Sequence, residues 1–229
     1  LAMGAFAHMG MKSLRNYIPM LDMALPDYYL SCTSSPFTPF NSNRRMLFND
    51  ASLEELRAHD ARSPTREIFE TSADLPTLHQ MLRVDTKTWL PDDLLIKADK
   101  MTMATSVELR VPMLDSDVME FAAALPPSFK VRGWPPKRVL RAALRDQVPR
   151  EILHRKKVGF PVPYGRWLRE DLRELMRDTI LARDSGLSEI FRREGLRSVI
   201  QDEDSGRNVN QEVFSLFVLE LLCQKFIRR

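Results

Sequence analysis

Three observations predict a mainly α fold for this 229-residue chain. It has only 8 glycines against 12 methionines, whereas strand-rich proteins need more glycine turns and more β-branched residues. Apolar residues recur at helical spacing in two strong runs: Leu140, Ala143, Leu144 and Val148, then Phe214, Phe217, Leu221 and Leu222. The length allows a real core, and 44% apolar content with a mean hydropathy of −0.29 marks a soluble globular composition.

Taken in order, residues 1–25 read as a weakly patterned helix ending at Pro26, and the Ser-, Thr-, Pro- and Asn-rich run 27–49 reads as a long connection. Ser52 and Glu55 have capping-box spacing, so a helix is expected from there to about His59. A connection over 61–65 precedes a short helical piece. A longer helix from about Leu75 should turn Leu78, Leu82 and Trp89 inward. Asp115 is placed to cap a helix with Val118, Phe121 and Ala122 inside, stopped by Pro126 and Pro127. The run 137–148 is amphipathic, with Arg138, Arg141 and Arg145 on its watery face, and Pro149 opens a further short turn. Pro161 and Pro163 should hold the chain extended. The last helix is expected over about 208–227. One or two short strands, such as 108–112, complete the reading.

Composition excludes several classes. A net charge of +3 and a pI near 9.0 are too small an excess to argue for nucleic acid, and the basic residues are scattered among acids rather than forming a stripe. No apolar run reaches membrane-spanning length, and the start has no clean apolar core, so neither a membrane span nor a signal peptide is expected. Cys32 and Cys223 have no metal-ligand spacing; they could form a single disulfide, but two free thiols in a reducing cytosol is the plainer reading. His8, His59, His79 and His154 are too far apart for a zinc site or a triad, so no metal ligands are assigned.

The most informative segment is LPDDLLIKADKMTMATSVELRVPMLD, residues 90–115. Leu94, Ala98, Met101 and Thr105 form an apolar stripe at helical spacing, while Asp92, Asp93, Lys97, Asp99 and Lys100 add charge. Glu108 and Arg110 fall beyond that helix, where the chain runs extended before the next one, a common place for site residues. A second cluster lies in RKKVGFPVP, with Arg155, Lys157, Gly159, Phe160 and Pro163, followed by Trp167 and Leu168.

In both clusters, and in their order, the chain resembles the synthetase domain of the glutamine-dependent asparagine synthetases. The match is Lys-x-Asp-Lys, Thr-Met-Ala, then Glu-x-Arg-x-Pro-x-Leu-Asp, and it covers about Trp89 to Leu172. Met113 stands where Phe is usual and Lys100 where Arg is common. The resemblance implies that residues 1–229 are a partial domain: 1–60 a weakly matched lead-in, 61–229 a helical core. The fold class is then the helical C-terminal portion of an α/β synthetase domain of the adenine-nucleotide α-hydrolase type.

The resemblance also implies roles. Glu108 would lie beside the acyl-adenylate and accept a proton from the incoming amine, because ammonium is no nucleophile. Lys157 would neutralise charge on departing pyrophosphate, with Gly159 allowing close backbone approach and loop motion. Lys97 and Asp93 are the candidates for contact with ATP and its Mg²⁺, which prefers few carboxylates plus phosphates. The competing reading of each is structural. Glu108 and Arg110 could simply pair, 155–157 could be a solvated basic run, and the acids of 92–99 could form a salt-bridge network with Lys100.

Two family features are absent from these residues. There is no Ser-Gly-Gly-x-Asp-Ser loop to cradle pyrophosphate, and no N-terminal Cys nucleophile to release ammonia from glutamine. The expectation is therefore a cytoplasmic segment of a longer ligase acting on ATP, aspartate and ammonia or glutamine, inactive alone, completed by an N-terminal glutaminase domain and dimerising as the family does. The alternatives are a related adenylating amide-forming or ring-closing synthetase, including β-lactam and lasso-peptide types, or a non-catalytic helical interaction module.

Overall fold

Prolines and capping side chains, not strands, divide the chain. The computed structural model describes residues 22–34, 43–133, 137–156 and 163–227, and among these no β-strand forms. The expected strand at 108–112 finds no partner; its last residue opens a 3₁₀ turn, Pro112–Leu114. One isolated antiparallel bridge joins Phe48 to Phe191. The described residues fall into two compact units, one drawn from 1–24, 30–61 and 160–229, the other from 25–29 and 62–159.

Helix α1 (Leu25–Ser34) reverses the expectation at its start. Pro26 opens it instead of ending an earlier helix, because a missing N–H costs nothing in a first turn. The expected helix over 1–25 otherwise lies outside the described residues. Inside the expected connection also sits α2 (Arg44–Leu47). In α3 (Asp50–Ala58) the cap is Asn49, whose side chain accepts from the Ser52 amide, so Ser52 lies within the helix. Asparagine at that position competes on equal terms with serine.

The first unit holds the main core. Around it pack α2, α11 (Tyr164–Arg169), α12 (Arg173–Leu181), α13 (Arg193–Asp204) and α14 (Asn210–Leu222). Leu47, Leu168, Ile180, Leu187, Val213 and Leu216 are almost wholly buried. Pro163 begins α11 rather than holding an extended segment, and Pro161 lies outside the described residues. The buried stripe of α14 is Val213, Leu216, Phe217 and Glu220, while Leu221 and Leu222 face outward, contrary to expectation. The stripe rotates because two acids, Glu212 and Glu220, are taken inside.

Glu220 is tolerated there because its carboxylate is saturated. It accepts from Ser185 Oγ (2.7 Å), the Leu187 amide (3.1 Å) and Gln224 Nε2 (3.0 Å). Burial pushes its pKa up, but these hydrogen bonds outweigh it and leave the group below the ordinary 4.5. Asp204 is likewise held low, first by the hydrogen bond from Arg173 (2.6 Å) and then by Arg177 (2.7 Å), against its own desolvation. Depressed acids stabilise the fold fully above their unfolded values and lose that contribution as pH falls through the folded ones. The unfolding midpoint should therefore drop as pH is lowered from roughly 5 toward 3, and Glu220→Gln should flatten the drop. A pH-independent midpoint in scanning calorimetry would refute this.

The second unit contains α4 (Ser63–Glu70), α5 (Thr77–Lys87), a π-helical turn (Leu90–Leu95), α6 (Ile96–Met103), α7 (Ser116–Ala124), α8 (Pro127–Lys130), α9 (Arg138–Ala143) and α10 (Arg150–His154). Asp27 accepts two hydrogen bonds from Arg66, and Tyr29 meets Phe69 edge-on at 6.0 Å. Among the described residues the buried side chains here are few: Thr65, Phe69, Ser72 and Val84. The inward residue of α5 is Val84, with Leu82 and Trp89 exposed; Val118, Phe121, Leu94 and Met101 are exposed too. The periodicity is helical as predicted, but among the described residues these stripes stay exposed. Helix α9 is shorter than the expected 137–148, and Arg141 turns from water to donate to the Leu153 carbonyl.

Candidate functional site

Pro91 organises the start of the site. It sits in the first turn, where a missing N–H costs nothing, of the π turn Leu90–Leu95 that follows α5, with Asp92 and Asp93 beside it. Such turns concentrate at functional sites. Helix α6 continues from it and closes when the Val107 amide bonds back to Thr102 O (3.0 Å) and Ser106 takes a positive φ of 59°. Beyond that reversal Val107–Val111 form no regular structure and lie exposed, carrying Glu108 and Arg110. Asp115 then caps α7 by accepting from the Asp117 amide (3.0 Å), as its position predicted.

Two ion pairs occupy this stretch. Lys97 Nζ donates to Asp93 Oδ1 at 3.1 Å, an i,i+4 pair along the helix. Arg110 pairs with Glu108 at 2.7 Å, and both side chains are open to solvent, 83% and 68% exposed. Among the described residues no ion pair links the two, and Asp92 and Lys100 join neither, so the expected network across 92–110 does not form. Pairs this exposed contribute about 0–1 kcal/mol. Their arrangement leaves Glu108 accessible, with one oxygen oriented by Arg110.

Lys157, Gly159 and Phe160 lie outside the described residues; Arg155 and Lys156, just before them, are exposed. The oxygen donors of Asp92 and Asp93 are of the type Mg²⁺ takes when phosphates complete its shell, and Lys97 offers a cation four residues on. No trio of His, Cys, Asp or Glu gathers as a metal cluster among the described residues. No described helix is long and apolar enough to cross a membrane.

One pairing escaped sequence reasoning. Lys130 Nζ meets His79 Nε2 at 2.9 Å and the Ala123 carbonyl at 3.3 Å. Residues 51 positions apart carry no local signal of such a contact.

Comparison with known proteins agrees with the two motifs. The family model for asparagine synthase matches residues 15–224. Asparagine synthetase [glutamine-hydrolyzing] 1 of Bacillus subtilis is 39% identical over 58% of this chain and 22% of its own length. A Mycobacterium bovis protein provisionally named a glutamine-hydrolysing asparagine synthetase is 47% identical over 46% of this chain and 16% of its own. Asparagine synthetase [glutamine-hydrolyzing] 3 of B. subtilis is 27% identical over 76% and 30%. The chain thus spans less than a third of the length of each of these relatives. No solved structure matches it significantly. With the model match running from residue 15 to residue 224, through both motifs, the chain belongs to the asparagine synthase family.

Proposed function

We propose that this chain is the helical part of an ATP-dependent amidotransferase. The enzyme adenylates the side-chain carboxylate of aspartate, then aminates it with glutamine-derived ammonia to give asparagine, AMP and pyrophosphate. The observation that carries this reading is the exposed Glu-x-Arg-x-Pro segment, which presents Glu108 to solvent directly after a helix led by Asp92 and Asp93.

Glu108 accepts a proton from the attacking amine, and Arg110 is its positioning partner. Asp93 and Lys97 face MgATP, in which the ion neutralises phosphate charge. Lys157 takes up the charge of pyrophosphate as it leaves, and Gly159 lies two residues on in the same motif. The phosphate-cradling loop and the glutaminase come from polypeptide outside residues 1–229, and the whole enzyme is a cytoplasmic homodimer. Exposed apolar side chains outside the α5–α7 cavity, such as Trp89, Met101 and Phe121, support a missing covering layer.

The test is release of AMP and pyrophosphate from ATP and aspartate. A polypeptide joining this chain to its phosphate-loop and glutaminase regions should make asparagine from glutamine. The 229-residue chain alone should release nothing above background. Turnover by the isolated chain would refute its incompleteness, and a complete enzyme that ignores aspartate would refute the substrate.

A further inference from the structure

A cavity of about 580 Å³ opens within the second unit between α5 and α7. Its walls are apolar: Leu82 from α5, Leu114, Met119 and Ala122 beside and within α7, then Leu125 and Val139. Its polar lining is almost entirely basic, from His79, Arg83, Lys87 and Lys130, and no Asp or Glu lines it among the described residues. The volume lies in the range of small-molecule sites, which pair an apolar lining with a few placed polar groups.

Lys130 is the placed group. An ammonium has three donors; His79 Nε2 takes one and the Ala123 carbonyl a second, leaving one N–H for a ligand. Its pKa is lowered by burial, so the cation is short of solvent and gains from an anion. Arg83 and Lys87 form no ion pair with any described residue, so within the lining their charge faces no carboxylate.

We propose that this cavity binds a small anionic amphiphile, its apolar body between α5 and α7 and its single carboxylate or phosphate head on Lys130. Leu90 and Leu114 bring the two ends of the 90–115 segment to the cavity wall, but neither Glu108 nor Arg110 lines it, and the proposal does not depend on the amidotransferase reaction.

Isothermal titration of the 229-residue chain tests it, with decanoate, decyl phosphate, decanol and decyltrimethylammonium as probes. One equivalent of decanoate or decyl phosphate should bind about 10- to 100-fold more tightly than decanol, the ratio a charge-assisted hydrogen bond carries, and the tighter of the two identifies the head group. Lys130→Met should erase that ratio while decanol still binds. Ala122→Trp, which fills the cavity, should abolish binding of all the probes with the circular dichroism spectrum unchanged. Equal affinity for decanol or the cationic probe, several weak equivalents, or no saturable binding overturns the proposal. If Lys130→Met does not fold, the Ala122→Trp variant and the wild-type probe ratios decide it.

Discussion

Glu108→Gln in the complete enzyme is expected to lower asparagine formation by about 10²- to 10⁴-fold, the usual range for loss of a positioned proton acceptor. The amide keeps the shape of the carboxylate but cannot take the proton that the amine must lose. Adenylation precedes that step, so pyrophosphate release should fall much less than amide formation. The side chain is 68% exposed and, among the described residues, pairs only with an exposed arginine, so the unfolding midpoint should scarcely move. Arg110→Gln is the contrast: it removes the orienting partner but leaves the base, and its rate loss should be smaller. Undiminished asparagine formation by the Glu108→Gln enzyme would show that the Glu108–Arg110 pair merely holds the loop.

The largest expected effect on stability is at Gly195, in the first turn of α13. A Cβ there would lie 2.6 Å from the Met46 carbonyl oxygen and 2.8 Å from Leu47 Cα. Both are backbone atoms, and Leu47 is fully buried and pinned by the Arg192 amide donating to its carbonyl at 2.7 Å. Neither side can yield without moving α2 away from α13. Gly195→Val should therefore cost about 3 kcal/mol, at the upper end for overpacking. Gly206 provides the comparison. It takes φ of +80° with open space around its Cβ position, so Gly206→Ala meets only the backbone preference, about 1–2 kcal/mol. Urea denaturation of both variants measures the difference, and equal losses would contradict the close approach of α13 to α2.

Much of the element order was legible because prolines and caps act locally. Asp115 caps α7, and α7 stops before Pro126, which caps α8, while Pro127 opens it, as their positions alone required. Errors arose where two local signals competed. Pro26 can stop a helix or open one, and Asn49 and Ser52 can each cap α3. The facing of helices was harder. In α14 the apolar residues are so numerous that periodicity could not choose a face, and the hydrogen bonds that admit Glu220 come from residues 33 and 35 positions away.

For the site, the sequence by itself determined the chemistry on offer. Acids led by Pro91, a Glu-x-Arg-x-Pro segment and the family they indicate are all properties of residues close in the chain. Tertiary structure decided which charges pair. It joined Glu108 to Arg110 and Asp93 to Lys97 without linking the two, and it set Lys130 on His79 beside an apolar cavity. The physical reason is range. Caps, turns and periodicity are satisfied within a few residues, whereas burial and ion pairing are settled by whichever distant side chains packing brings within reach.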